Sequence, residues 1–259
     1  MHPILFKIGP LTLHTYGLLV ALGFIIGIAF AIHFGKKEGV PKEKILDIGF
    51  YTIIAAIVGS RLFFIIVEYK YFIKNPIEII KIWEGGLVFY GGVFLAVPVL
   101  LWYFRKNNLP VWKTLDLFTP SLSIGHALGR IGCFYAGCCY GKPTDAAWAV
   151  TFKDPHSLAV LGTPLHPTQL YESAAEFIVF TFLLILRKHK KFDGQIFWTY
   201  MLLYSIVRFI IEFFRGDVTR GFIYSNFSIA QGISAGLFLA AIIFLLKQAI
   251  HHRGHGERR

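Results

Sequence analysis

Seven times along this chain an apolar run recurs that is long enough to cross the core of a bilayer, for which about 17–25 residues are needed. The runs cover residues 11–34, 45–67, 87–104, 115–131, 171–186, 195–214 and 228–246. Hydrocarbon offers no hydrogen-bond partner, so such a chain folds as helices whose backbone groups are satisfied within each span. The expected fold is an all-α polytopic membrane protein: seven transmembrane helices with a small extracytoplasmic cap, in one membrane domain over residues 1–259. Composition agrees, since 55% of residues are hydrophobic and only 16% charged, against about a quarter charged in soluble domains.

The basic residues gather between the runs, and their distribution sets the topology. One set of alternate connections holds Lys36, Lys37, Lys42, Lys44, Arg105, Lys106, Lys113, Arg187, Lys188, Lys190, Lys191, Lys247, Arg253, Arg258 and Arg259. The other holds only Lys7, Lys70, Lys74, Lys81, Lys142, Lys153, Arg215 and Arg220. Fifteen against eight places the N-terminus outside and the C-terminus, with a solvated tail over 247–259, in the cytoplasm. Topology and anionic lipid thus account for the net charge of +11, and no nucleic-acid partner is expected, because no basic stripe lies on a polar fold. The first 30 residues lack a basic start, a short apolar core and a cleavage site, so the first helix is expected to be retained.

Residues 134–170, the longest connection, fall on the outer side, and their Gly, Pro and Thr content predicts a cap of turns and short strands. Residues 68–84 predict an interfacial helix ending at "WEGG". Thr119-Pro120 and the glycines after it predict a break in the fourth helix.

Arginine inside a span costs about 2.5–3.5 kcal/mol on insertion scales, so it pairs or lines an aqueous cavity. Arg61, Arg130 and Arg208 lie within the runs or at their ends. In "LLYSIVRFIIEFFRGD" the residues Tyr204, Arg208 and Glu212 recur every fourth position, with Arg215 three further on, and so form one polar stripe. An ion pair joining helices would explain Arg208 and Glu212 alone. With Arg130 added, the arginines are expected to outnumber Glu172 and Glu212 and leave positive charge for an anion, and a guanidinium fork suits phosphate. A phospholipid headgroup is the ligand this predicts. Gly125 and Gly129 predict close helix approach, and Gly132, Gly137 and Gly141 predict free backbone donors beneath a headgroup. Gly85-Gly86 and Gly91-Gly92 present Tyr90 where the chain enters the membrane. His126, one turn before Arg130, is expected to pack or hydrogen-bond within the helix, and His166 either caps the next helix or acts as a base. His14 and His33 are expected at the interface, His156 and His189 in exposed loops.

Cys133, Cys138 and Cys139 have the spacing C-x4-C-C. Packing of small residues, a disulfide on the oxidising side and a metal site all remain open. Zinc lacks a fourth ligand here and usually takes shorter spacers, and a thiol nucleophile needs a nearby base.

Taken in order, "HTYGLL", "WEGGLVFYGG", "GRIGCFYAGCCYG", "HPTQLYE", "YSIVRFIIEFFRGD" and "FSIAQGIS" make the chain resemble the bacterial prolipoprotein diacylglyceryl transferases from His2 to about Ser234. The resemblance implies a multi-pass enzyme of the bacterial cytoplasmic (inner) membrane, with its active site towards the outer leaflet. Such an enzyme moves the diacylglyceryl group of phosphatidylglycerol to the lipobox cysteine of a preprolipoprotein signal peptide and releases glycerol phosphate, with no cofactor or metal. By position it implies a catalytic set of Arg130, Arg208, Tyr204, Tyr90, His166 and Glu212. The substrate-binding set it implies is Tyr16, Arg130, Cys133, Gly137, Gly141, Arg208 and Arg215. Many members carry His where this chain has Tyr90, and Asn where it has Cys133, which leaves His166 or Tyr90 to take the thiol proton. Two other functions fit the same residues. A diverged lipid transferase with another acceptor would fail to replace the enzyme in depleted cells, and an anion carrier would show flux without a lipid product.

Overall fold

The computed structural model describes residues 2–9, 11–81, 85–217, 221–224 and 227–256. A hairpin of β1 (Ile4–Ile8) and β2 (Leu11–His14) leads into α1 (Thr15–Glu38), followed by α2 (Lys42–Val67), the short α3 (Tyr69–Lys74) and a 3-10 helix (Pro76–Ile80). Then come α4 (Phe89–Lys106), α5 (Val111–Ala136), β3 (Val150–Thr151), β4 (Pro164–Leu165), α6 (Thr168–Lys188) and α7 (Gln195–Glu212). A last hairpin, β5 (Phe222–Tyr224) and β6 (Phe227–Ser228), precedes α8 (Ile229–Gly256).

The molecule is thus mostly helical, with a helix over each of the seven apolar runs. Among the described residues, α1, α2, α6 and α8 are long and apolar enough to cross a membrane. Large apolar side chains point outward, Ile25 at 65%, Phe94 at 67% and Ile178 at 71% exposure, whereas Ser123, Gln169 and Glu176 are at 0%. Soluble proteins arrange these residue types the other way round. An apolar exterior around a polar interior is what lipid as solvent selects.

The chain forms two compact units, Met1–Phe30 with Leu115–Arg259, and Ala31–Thr114. In the second unit α2 and α4 meet at glycines: a Cβ on Gly59 would lie 2.4 Å from the Gly91 carbonyl oxygen. Arg61 is buried there and spends its fork on backbone. Its Nε donates to the Ile79 oxygen at 3.0 Å, Nη1 to those of Gly85 and Gly86 at 2.8 and 3.3 Å, and Nη2 to that of Glu78. This embedded arginine ties a connection down. The helix expected over 68–84 is divided at Asn75-Pro76, because the residue before proline is driven out of the helical region. Ile82 and, from the "WEGG" motif, Trp83 and Glu84 lie outside the described residues, as do Pro10, Arg220 and residues 257–259.

In the first unit α5 runs unbroken through Pro120, contrary to the sequence expectation. Proline has no N–H for the carbonyl four residues back, and that carbonyl, of Asp116, accepts instead from Arg187 Nη1 at 3.4 Å. The Thr119 hydroxyl meanwhile donates to the Leu115 carbonyl at 2.7 Å. Helices α1 and α5 approach through Gly23, whose Cβ would stand 3.2 Å from the Gly125 oxygen, while Gly129 has nothing within 4 Å. Only the first glycine of that pair is therefore a helix contact. Val179, Leu183, Ile196 and Tyr200 form the seam between α6 and α7. Between α5 and α6, β3 pairs with β4 over a small core of Phe152, Ala159 and Leu165. The first apolar run begins as β2 rather than helix, and α8 continues to Gly256, into the stretch expected as a tail.

Candidate active site

Three helices of the first unit bring their polar stripes together. From α5 come Ser123, His126 and Arg130, at positions that share a face; from α6 come Glu172 and Glu176, one turn apart; from α7 come Tyr204, Arg208 and Glu212. Arg130 Nη2 meets Glu172 Oε1 at 2.9 Å, and Arg130 Nε donates to His126 Nε2 at 3.1 Å. That bond requires a lone pair on Nε2, so the imidazole proton is on Nδ1, which faces Glu176 Oε1 at 3.2 Å. Glu176 is held in turn by the Ser123 hydroxyl, which donates to its Oε2 at 2.8 Å. Ser123, Glu176, His126 and Arg130 thus form one polar chain, hydrogen-bonded at its two ends and joined in the middle by the close approach of His126 to Glu176.

On α7, Arg208 Nη2 meets Glu212 Oε2 at 2.8 Å, and both side chains are nearly buried, at 11% and 2% exposure. Among the described residues Arg208 Nη1 is buried with no hydrogen-bond partner. A buried guanidinium donor left unmade costs on the order of 1–3 kcal/mol, so this nitrogen is poised for an acceptor from outside the protein. Tyr204 stacks on Tyr200 and sits 5.6 Å, ring to ring, from His126, within electrostatic reach of both Arg130 and Arg208. Tyr16, half-exposed at the start of α1, rests against Gly132 and interacts with Arg130 and the three cysteines.

The expected surplus of positive charge is not there. Arg215 pairs with Asp217, Nε to Oδ1 at 2.9 Å, so each of the three arginines here has its own carboxylate, and Glu176 adds a fourth acid. Counting only Glu172 and Glu212 overlooked Asp217 and Glu176. What distinguishes the site is unfilled donor capacity.

Gly137 and Gly141 do not present free N–H groups either. Gly137 ends α5 with φ 78° and donates to the Phe134 carbonyl at 3.2 Å. Gly141 donates to the His166 carbonyl at 2.9 Å and bridges to Arg215, so closely that a Cβ would lie 2.5 Å from the His166 oxygen. These glycines let backbones cross beside Arg215. His166 Nδ1 lies 3.1 Å from the Tyr171 hydroxyl, which accepts from Trp148 Nε1 at 2.7 Å, and its ring leans on Phe214. Tyr90 belongs to the other unit, in the first turn of α4, half-exposed and edge-on to Phe89. His126, Ser123, Glu176, Tyr171 and Trp148 were not anticipated as site groups. The signal for the first three was present, since Ser123, His126 and Arg130 on one helix face and Glu172 and Glu176 on another have the spacing of facing stripes.

Residues 3–247 match the family described as Prolipoprotein diacylglyceryl transferase. The chain is 37% identical over 248 residues to a phosphatidylglycerol--prolipoprotein diacylglyceryl transferase of Finegoldia magna, covering 95% of this chain and 96% of the relative. It is 38% identical to that of Clostridium tetani, covering 90% and 92%, and 32% identical to that of Bacillus velezensis, covering 100% and 96%.

Proposed function

From the premise that this chain belongs to the prolipoprotein diacylglyceryl transferase family, moving the diacylglyceryl group of phosphatidylglycerol to a prolipoprotein cysteine, we propose that Arg130 and Arg208 hold the phosphate that leaves. The observation carrying this assignment is the buried, unpartnered Nη1 of Arg208, beside a Tyr204 that interacts with both arginines.

The reaction displaces phosphate from a glyceryl carbon by sulfur. Negative charge grows on the departing phosphate oxygen, so donors already in place stabilise the transition state more than the ground state. Glu212 fixes one edge of Arg208 and leaves Nη1 for the phosphate. Glu172 and His126 fix two edges of Arg130, and Tyr204, within electrostatic reach of both guanidiniums, donates to the headgroup. Arg215, neutralised by Asp217, borders the site without adding net charge. Tyr16 borders the acceptor side, with Cys133 beyond it, and Gly137 and Gly141 shape the backbone around the headgroup. His166 or Tyr204 accepts the thiol proton.

In this reading the seven long helices all span the cytoplasmic membrane, with the N-terminus outside and residues from 247 onward inside. Residues 134–170 form the extracytoplasmic cap, and the acceptor arrives as a preprolipoprotein signal peptide bearing its lipobox cysteine. Purified protein given phosphatidylglycerol and a lipobox peptide is expected to form the thioether, detected by mass spectrometry. Arg208→Ala should slow it by about a hundredfold or more, the scale on which removing one preorganised oxyanion donor acts. Turnover at the parental rate would withdraw the assignment.

A further inference from the structure

The proposed phosphate site leaves one cluster unused. Cys133, in the last turn of α5, and Cys138 and Cys139, in the loop after it, have sulfur atoms that all lie within 4.8 Å of one another, and all three are free thiols. Zinc–sulfur bonds of about 2.3 Å in a tetrahedron hold sulfurs roughly 3.8 Å apart, so small side-chain movements complete such a site. The surroundings hold the cluster in shape. Cys139 has φ 58°, a left-handed conformation that non-glycine residues adopt at a cost of about 1–3 kcal/mol. The buried side chains of Thr168 and Gln169 donate to the Cys139 and Cys138 carbonyls, each at 2.7 Å, and Cys138 N donates to the Cys133 carbonyl at 3.2 Å.

Among the described residues no histidine, aspartate or glutamate joins the three. A structural zinc site closes with four protein ligands, whereas a catalytic one keeps three and leaves the fourth position for water or substrate. The missing fourth ligand that argues against the first kind is a requirement of the second. Each cysteine is only partly buried, so a further ligand can reach them. Three thiolates on Zn²⁺ carry a net negative charge and a fourth increases it, and Arg130 and Arg215 both act electrostatically on Cys139. The acceptor of this family's reaction is itself a thiol.

The geometry points to a Zn²⁺ site formed by Cys133, Cys138 and Cys139 whose open fourth position takes the cysteine thiol of the incoming prolipoprotein. This rests on the transferase reading above. On binding, the acceptor thiol gives its proton to the base of the transferase reading and becomes a coordinated thiolate. A sulfur lone pair then forms the S–C bond to the glyceryl carbon while the C–O bond to phosphate breaks and its electron pair leaves on the phosphate oxygen. No electron is gained or lost overall, and the neutral thioether, a weaker ligand, departs.

The test uses the full chain in detergent, under reductant and without phosphatidylglycerol, with Co²⁺ as a spectroscopic substitute for Zn²⁺. One metal per chain is expected, with sulfur-to-cobalt charge-transfer bands to which histidines contribute nothing. Adding a lipobox peptide should raise these bands by about a third, as three thiolates become four, and the same peptide with Cys→Ser should not. Cys133→Ser, Cys138→Ser and Cys139→Ser should each weaken Zn²⁺ binding by more than about tenfold, the least that losing even a supporting group costs. Arg208→Ala should retain the whole spectrum, so failure of the phosphate assignment and failure of the metal site are read separately. Four outcomes overturn the proposal: metal binding unchanged in the triple serine variant, no response to the cysteine peptide, a disulfide that survives reductant, or a preference for three-coordinate Cu⁺ that admits no fourth sulfur.

Discussion

Arg130 is held from two sides by different kinds of partner, and the difference is testable. Glu172 neutralises it, while His126 accepts from Nε without adding charge and passes the contact to Glu176 and Ser123. His126 is therefore a positioning residue, and its loss should disturb the orientation of the guanidinium rather than its charge. Replacing His126 with Phe removes one hydrogen bond to a charged group, worth about 1.5–3 kcal/mol, so kcat is expected to fall roughly 10- to 100-fold with KM for phosphatidylglycerol changed much less. His126→Gln, whose amide can accept from Arg130 and donate to Glu176, should recover most of the rate. Equal kcat values for the two variants would leave His126 a packing residue. At this scale the sequence was legible where a residue is chemically out of place, as Arg130 and Arg208 are in an apolar run. It was not legible where meaning depends on the partner. Arg61 looks as conspicuous as Arg130 in the sequence, yet its fork is filled by backbone carbonyls, and Asp217, not counted among the acids, holds Arg215.

At the scale of elements, the start of α7 depends on a residue of α5. Gly194 caps the helix without a side chain of its own, and Asp116 supplies the acceptors: Oδ2 for Gly194 N at 2.7 Å and Oδ1 for Phe197 N at 2.8 Å. Unsatisfied N–H groups and the positive end of the helix dipole both favour a carboxylate there. Asp116→Ala removes two such bonds, and thermal unfolding in detergent should move down by roughly 5–10 °C; a shift within error would show that water replaces the cap. Lys190 completes the arrangement, meeting Asp116 at 3.0 Å and Asp193 at 2.8 Å. Desolvation lowers its pKa, but the bonds to those two carboxylates outweigh it and hold the amine above its ordinary 10.5. A base whose folded pKa is raised contributes stability that is complete below its unfolded pKa and lost as pH rises through the folded one. The difference in melting temperature between the parent and Lys190→Met should accordingly stay constant at neutral pH and shrink only in alkaline buffer above about pH 10.5. These elements also show why periodicity located the helices but not their continuity. Proline at 120 announced a break, and Arg187, distant in sequence, supplies the missing donor to Asp116.

For the whole molecule, the apolar runs carry most of the fold because span length is a local property, readable within each stretch of sequence. The turns and short strands expected over residues 134–170 are present, but their positions were not legible, since β3 and β4 are two residues each and exist through pairing with one another. Which side of the membrane residues 134–170 face decides whether substrates and site can meet. If basic connections stay inside, the loop containing Lys191 is cytoplasmic and the cap containing Lys153 is external, on the side where a translocated lipobox and the outer leaflet are available. The check is a pair of single cysteines, Lys153→Cys and Lys191→Cys, each in a background with Cys133, Cys138 and Cys139 changed to serine. A membrane-impermeant maleimide applied to intact spheroplasts should label position 153 and leave 191 unlabelled until the membrane is permeabilised. Inverse labelling would place Arg130, Arg208 and the cap on the cytoplasmic face, before translocation exposes any acceptor, and the route by which a signal peptide reaches them would have to be from inside the cell.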